Sequence, residues 1–208
     1  MKSQLQVPLN ASPEQQARLK ALQRAFSDVC NALAPMVRET RCWNRVALHH
    51  MAYRSLRDKF PQMGSQMVCN AIYSVSRTAR AVYQSAASPF NLERWGNRRL
   101  ALIQFEPSAP VYFDRHTLSL KSGHLSMYTL DGRIRFDLQV QPEDEARFHN
   151  EKLNEVVLTS AGDSFRLLFT FSRAGSDARP DNADATELPE YVIVLPDPAK
   201  HEETGEPA

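Results

Sequence analysis

The sequence predicts an α+β fold: a small antiparallel β-barrel with a basic three-helix insertion after the first strand. Apolar residues recur at spacings of three and four over residues 13–83, which is typical of amphipathic helices. After Ser88-Pro89 the period changes to two, which is typical of strands. Charge also divides the chain, whose net charge is only +1: residues 1–100 contain 15 Lys and Arg against 5 Asp and Glu, and residues 101–208 contain 10 against 19. This asymmetry indicates a first half that binds polyanions.

A strand and a capped helix are predicted at the start of the chain. Polar and apolar residues alternate over residues 2–9, so residues 1–10 are assigned to the barrel as its first strand. Ser12 suits an N-cap, Pro13 suits the first helical position, and Gln15 can complete a capping box. Pro35 either ends this helix or starts the next one. The apolar stripe of the helix consists of Leu19, Leu22, Phe26, Val29 and Leu33.

A second, basic helix is predicted over about residues 37–59. Its buried side would contain Leu48, Met51 and Leu56. A break follows at residues 60–65, with Ser65 as the next N-cap. The basic residues form two groups, one on a shared face and one at the far end of the helix: Arg38, Arg41 and Arg45, then Arg54, Arg57 and Lys59.

The third helix, over about residues 66–83, has two contrasting faces. The apolar face contains Val68, Ile72, Val75, Ala79 and Val82. The opposite face has no acidic residue, and it suits phosphate contacts with a base or sugar stacking on Tyr73, although an ordinary solvated face fits the same pattern. That polar face consists of Asn70, Tyr73, Arg77, Arg80 and Gln84. Together the three helices form a recognition-like helical domain at residues 11–98.

Short strands predict a β-barrel domain at residues 99–172. Asp131-Gly132, between two alternating runs, is a strong hairpin signal, and Ala161-Gly162-Asp163 marks a second pair. Residues 173–208 are predicted to be a flexible acidic linker and tail that contain one further strand candidate at residues 191–195. The other predicted strands cover residues 111–113, 118–120, 125–130, 133–140, 156–158 and 165–171.

Motifs for catalysis, cofactors and metals are missing from the sequence. Phosphate-loop, dinucleotide and nucleophile-elbow patterns do not occur, and the three cysteines form no C-x-x-C pair. The adjacent His49 and His50 do not share a helical face. Neither a signal peptide nor an apolar run of membrane-spanning length is present. We therefore expect a cytoplasmic protein without cofactor, metal, membrane contact or catalytic residues.

Two blocks of sequence resemble TnpB-type proteins, the transposon-encoded OrfB relatives of type V CRISPR effectors. The resemblance covers about residues 1–172, and the order of the two blocks is more specific than either alone. The first block is Asn44-Arg45-Val46-Ala47, residues 53–61, Ser65-Gln66-Met67, Ala71-Ile72 and Val75; the second is residues 111–120 and 125–136.

The resemblance implies a wedge β-barrel interrupted after its first strand by a helical recognition insertion, which together hold RNA and grip DNA. The basic helical residues would then be recognition contacts, and Arg133 and Arg135 wedge contacts. In the family a nuclease strand with a Gly-x-Asp-x-Gly-like motif follows, but residues 192–198 here have Asp197 without the flanking glycines. A two-metal nuclease needs several convergent carboxylates. The resemblance therefore implies a transposase-associated protein that binds RNA and/or DNA without cleaving it, and a separately encoded nuclease is a candidate partner.

The predicted nucleic-acid-binding set joins both halves of the chain. Three other interpretations stay open: a protein-interaction module whose basic helices contact an acidic partner, a decayed transposon remnant without function, and an enzyme. The predicted contacts are Arg38, Arg41, Arg45, Arg54, Arg57, Lys59, Tyr73, Arg77, Arg80, Arg133 and Arg135.

Overall fold

The computed structural model of the protein describes residues 2–138, 140–172 and 189–196. The first strand leads into a helical block, and the remaining strands follow with one further helix among them. The first strand is β1 (Lys2–Leu9). The helical block comprises α1 (Pro13–Thr40), α2 (Arg45–Lys59), α3 (Ser65–Tyr83) and the single turn α4 (Leu92–Trp95). The second block comprises β2 (Leu102–Phe105), β3 (Val111–Phe113), β4 (Leu118–Lys121), β5 (His124–Thr129), β6 (Gly132–Asp137), α5 (Pro142–Asn150), β7 (Lys152–Ala161), β8 (Ser164–Ser172) and β9 (Val192–Leu195).

The strands form three antiparallel sheets. The largest has the order β1-β8-β7-β3, and the other two are β4-β5-β6 and β2-β9. Because β1 pairs with β8, the helices are inserted into the sheet after its first strand, as predicted. None of these sheets closes on itself among the described residues, so the α+β class is confirmed and the barrel is not. Alternation predicts strands and their buried face, but it carries no information about which strands close a sheet.

The first helix is longer than predicted. The capping box of Ser12 and Gln15 is present, and the helix continues through Pro35 to Thr40. Pro35 is exposed, whereas Leu33 and Val37 on either side are buried, so packing of the apolar stripe outweighs the lost backbone hydrogen bond. The helix ends at Arg41, whose φ of 53° is left-handed. The prediction of a single helix over residues 37–59 is therefore wrong.

The second helix begins at Arg45 and not at about residue 37, and it ends at Lys59 as predicted, whereas the third helix agrees closely with its predicted bounds. Leu48 and Leu56 are buried in α2, but Met51, also predicted to be buried, is 43% exposed. The N-cap of α3 is Gly64, one residue before the predicted Ser65. The whole predicted apolar face of α3 is buried: Val68, Ile72, Val75, Ala79 and Val82.

One continuous hydrophobic core joins the two blocks, and α5 closes one end of the large sheet. The core contains Phe26 and Ile72 of the helices together with Phe165 of β8. Phe148 of α5, a helix that was not predicted, packs edge-on against Phe169 and Phe171 with ring centroids 5.1 and 5.0 Å apart. In the described part of the chain, no helix has the length and apolar character needed to span a membrane.

The hairpins and the last strand also match the prediction. Gly132 with φ of 92° closes the β5–β6 hairpin, and Gly162 with φ of 60° lies in the β7–β8 turn. Strand β9, within the stretch predicted as linker and tail, pairs with β2. The rest of that prediction, residues 173–188 and 197–208 with Asp197, lies outside the described residues.

Candidate nucleic-acid interface

Three residues of the polar face of α3, Asn70, Tyr73 and Arg77, contact the large sheet. Asn70 is 6% exposed, and its Nδ2 donates to the carbonyl of Tyr112 at 3.0 Å. The hydroxyl of Tyr73 and Nη1 of Arg77 both donate to Oε1 of Glu155 on β7, at 2.9 and 2.5 Å. Asn70, Tyr73 and Arg77 are therefore engaged within the fold, contrary to the prediction of a face that is free for a ligand, whereas Gln84 is exposed.

Two neighbours contact the ring of Tyr73 within the fold. The ring of Tyr112 meets it edge-on at 5.4 Å, and the guanidinium of Arg45 lies 5.1 Å from its centroid. Burial, helped by the Glu155 carboxylate, raises the pKa of Tyr73 to about 12. Tyr73 and Arg77 thus hold α3 to β7, and a base cannot stack on Tyr73 without displacing Arg45. Arg80 is half-buried in the last turn of α3.

Arg38, Arg41 and Arg45 do not share one helix face, contrary to the prediction. Arg38 is on α1 and pairs with Glu39 at 3.2 Å, with its side chain 17% exposed. Arg41 is the C-cap of α1, and its Nη2 donates to the carbonyl of Arg98 at 2.7 Å. Arg45 is the first residue of α2. The turn at residues 41–44 separates the three because Arg41 adopts a left-handed conformation.

A basic and aromatic row runs along α2. Arg45, His49, Tyr53 and Arg57 follow at spacings of four, which places them on one side of the helix. The rings of His49 and Tyr53 stack with centroids 4.6 Å apart and an angle of 17° between planes. Arg57 donates through Nη1 to the carbonyl of Met63, in the turn that leads into α3. Two stacked rings therefore lie between two guanidinium groups.

The cations of α2 have no carboxylate partner among the described residues. In residues 2–138, 140–172 and 189–196, no ion pair involves Arg45, Arg54, Arg57 or Lys59. Arg45, Arg54 and Lys59 are exposed, and Arg57 is half-buried. Five lysines and arginines elsewhere in the described residues are paired with carboxylates: Lys20, Arg38, Arg77, Arg99 and Arg147.

The two predicted arginines of β6 lie on the sheet that Tyr128 joins to the α2–α3 turn. Arg133 is directly opposite Tyr128 in the β5–β6 ladder, and Arg135 is opposite Ser126, so all four side chains share the outer face of this sheet. The hydroxyl of Tyr128 accepts from the backbone N–H of Gly64 at 2.9 Å and donates to the carbonyl of Gln62 at 3.2 Å. This tyrosine therefore joins the sheet to the α2–α3 turn.

The side chains of the two β6 arginines differ in their hydrogen bonds. Nε and Nη2 of Arg133 donate to the hydroxyl and carbonyl of Ser126 at 2.9 and 2.7 Å, which fixes its guanidinium on the sheet. Arg135 is exposed, and its side chain has no hydrogen bond or ion pair to the part of the chain that the structure describes. We name the combined patch the α2–β6 surface, formed by Arg45, His49, Tyr53, Arg54, Arg57, Lys59, Arg133 and Arg135.

Two members of this surface, His49 and Tyr53, were not predicted. The signal was present in the sequence: both lie on the four-residue spacing that connects Arg45 to Arg57. The prediction of one long helix over residues 37–59 obscured this spacing, because it grouped Arg45 with Arg38 and Arg41.

Comparison with known proteins identifies no relative: no known family matches the chain, and no curated protein is significantly similar to it. Within the described ranges, no group of three or more His, Cys, Asp or Glu could hold a metal ion. Burial raises the pKa of the Cys30 thiol far above its ordinary value.

Proposed function

We propose that this protein binds nucleic acid through the α2–β6 surface. The observation that carries the proposal is that α2 has cations without an ion pair to any described residue and that Tyr128 joins the sheet of Arg133 and Arg135 to the turn after this helix. Arginine and lysine supply most contacts to phosphate oxygens, and such contacts dominate the affinity of proteins for nucleic acid.

The dimensions of the surface support this assignment. Arg45 and Arg57 are separated by twelve residues, which corresponds to about 18 Å along a helix. One strand of B-form DNA has a phosphate about every 3.4 Å along its axis, so this row spans about five phosphates. The stacked His49 and Tyr53 between the arginines offer planar faces to a base or sugar.

The topology supports a relationship to TnpB-type proteins as part of the same proposal. Their wedge-and-recognition arrangement places helices after the first strand of a β domain, and here β1 pairs with β8 across the helical block. By this relationship the ligand is structured RNA and/or DNA, and a separately encoded nuclease is the partner. The α2–β6 surface lacks the several convergent carboxylates that a two-metal nuclease needs, which supports the proposal that it holds a strand without cutting it.

Purification of the protein from its native host at moderate salt tests the proposal. Any nucleic acid that copurifies is sequenced, and we expect a discrete RNA species that maps near the gene for this protein. A preparation without nucleic acid that also fails to shift RNA or DNA at low salt would contradict the proposal.

A protein partner is the second candidate, because α2 also exposes apolar side chains. Val46 is 64% exposed and Met51 43% exposed. A stable 1:1 complex with a protein, which forms in nuclease-treated samples and is weakened by Val46→Ser, would favour this function.

A further inference from the structure

Trp95 lies in a short basic segment that the α2–β6 surface does not include. Its ring is half-buried, and Phe90 packs against it with centroids 5.5 Å apart. The indole Nε1 donates to the carbonyl of Arg99 at 2.9 Å, which fixes the orientation of the ring. The guanidinium of Arg98 lies 5.9 Å from the ring centroid. Trp95 and Arg98 thus form an ordered stack at the surface.

The cations around this stack are only partly neutralised. Arg99 pairs with Glu39, and Arg38 pairs with the same carboxylate. Arg94 and Arg98 are exposed, and neither forms an ion pair with any residue that the structure describes.

Arg41 connects the Trp95 segment to the α2–β6 surface. Its guanidinium holds the carbonyl of Arg98 at 2.7 Å, and α2 begins only four residues later, at Arg45. Four residues of extended chain span at most about 14 Å. The Cα atoms of Arg41 and Arg45 are therefore separated by no more than the length of about four phosphates of one strand.

We propose that Trp95 and Arg98 form a stacking site for an unpaired nucleotide at the end of a nucleic acid held on the α2–β6 surface. A base stacks beside Arg98 on the exposed part of the Trp95 ring, and Arg41 and Arg94 contact the adjoining phosphates. The face of a base is available for such stacking only when the base has left a duplex. This inference rests on the proposed function and adds a preference for single-stranded segments.

Fluorescence of Trp95 tests the inference separately from binding. The chain contains two tryptophans, so Trp43→Phe leaves Trp95 as the single reporter. The probes are a 12-nucleotide single-stranded oligoadenylate RNA and a blunt 12-base-pair RNA duplex. We expect the single strand to quench Trp95 and the duplex to leave its emission unchanged. If Trp43→Phe does not fold, the emission of Trp95 is obtained for each probe as the difference in fluorescence between the wild type and Trp95→Phe.

Affinity measurements give a second readout. Trp95→Ala and Arg98→Ala should each weaken binding of the single strand by about 5- to 100-fold, since one base–aromatic stack has an effect of this size. Arg166→Ala, which removes an exposed cation of β8, is the matched control and should change affinity much less. Binding of both probes without quenching, or with full affinity in Trp95→Ala, would overturn the inference and leave the proposed function intact. Failure of the wild type to bind either probe would overturn the proposed function and this inference with it.

Discussion

Arg77 and Glu155 are 78 positions apart in the sequence, and Nη1 of the arginine lies 2.5 Å from Oε1 of the glutamate. The pair joins the middle of α3 to β7, with the arginine side chain 35% and the glutamate side chain 17% exposed. Tyr73 donates to the same oxygen. Because this junction engages Tyr73 and Arg77 of α3 in a structural contact, the candidate ligand surface is on the neighbouring helix, α2.

Removal of the Glu155 carboxylate should destabilise the fold. Glu155→Ala leaves the hydroxyl of Tyr73 and the guanidinium of Arg77 without their acceptor in a half-buried place, and we expect the free energy of unfolding to fall by about 2 kcal/mol. Urea denaturation measures the change. Asp163→Ala is the control, because its pair with Lys20 is exposed on both sides, and it should leave stability unchanged. Equal effects of the two substitutions would contradict a special role for the junction.

Charge reversal at Arg77 should lower the thermal stability of the fold and have a smaller effect on nucleic-acid binding. Arg77→Glu places two carboxylates together, and we expect a loss of thermal stability that exceeds that of Glu155→Ala. The double variant Arg77→Glu with Glu155→Arg restores opposite charges and should recover part of the lost melting temperature. No recovery in the double variant would show that the ion pair itself contributes little.

Alkaline titration should detect the environment of Tyr73. Its pKa is raised to about 12, so the folded state favours the protonated phenol. The stabilisation is therefore complete below pH 10, the ordinary tyrosine range, and is lost as the pH rises through about 12. Difference absorbance at 295 nm between the wild type and Tyr73→Phe should contain a phenolate transition near pH 12. A transition near pH 10 in this difference would contradict the buried contact.

The β5–β6 hairpin should depend on glycine at its turn. Gly132 has φ of 92°, a region that L-residues rarely adopt, and a Cβ there would meet no neighbouring atom. Gly132→Ala should therefore cost about 1 kcal/mol or more through backbone strain alone. Asp131→Ala, at the exposed preceding position, should change stability by less than about 0.5 kcal/mol in the same denaturation experiment.

Local patterns in the sequence predicted most of the helices and strands. Where these patterns were insufficient, tertiary contacts explain the difference. The capping box at Ser12 and the turn at Gly132 are local signals, and both are present in the structure. Pro35 is also a local signal, but burial of Leu33 and Val37 overrides it. The helix α5 was missed because its residues are mostly charged and a single aromatic, Phe148, docks it.

The candidate site was predictable in its composition and not in its arrangement. Helical periodicity separates the polar from the apolar face of α3, but it cannot show that Glu155, on a distant strand, receives the polar face. It also cannot show that Tyr128 brings β6 to the α2–α3 turn. Both relationships depend on sheet packing between segments more than sixty residues apart.

The most direct test of the central claim is the salt dependence of nucleic-acid binding by a variant without three exposed α2 cations: Arg45→Gln, Arg54→Gln and Lys59→Gln. The matched control removes three exposed cations of the strands: Lys121→Gln, Lys152→Gln and Arg166→Gln. For a duplex ligand, each lost phosphate contact should reduce the slope of log affinity against log salt by about 0.9. We predict a slope lower by about 2 to 3 in the α2 variant and an almost unchanged slope in the control. Equal slopes in the wild type and the α2 variant would contradict binding through the α2–β6 surface.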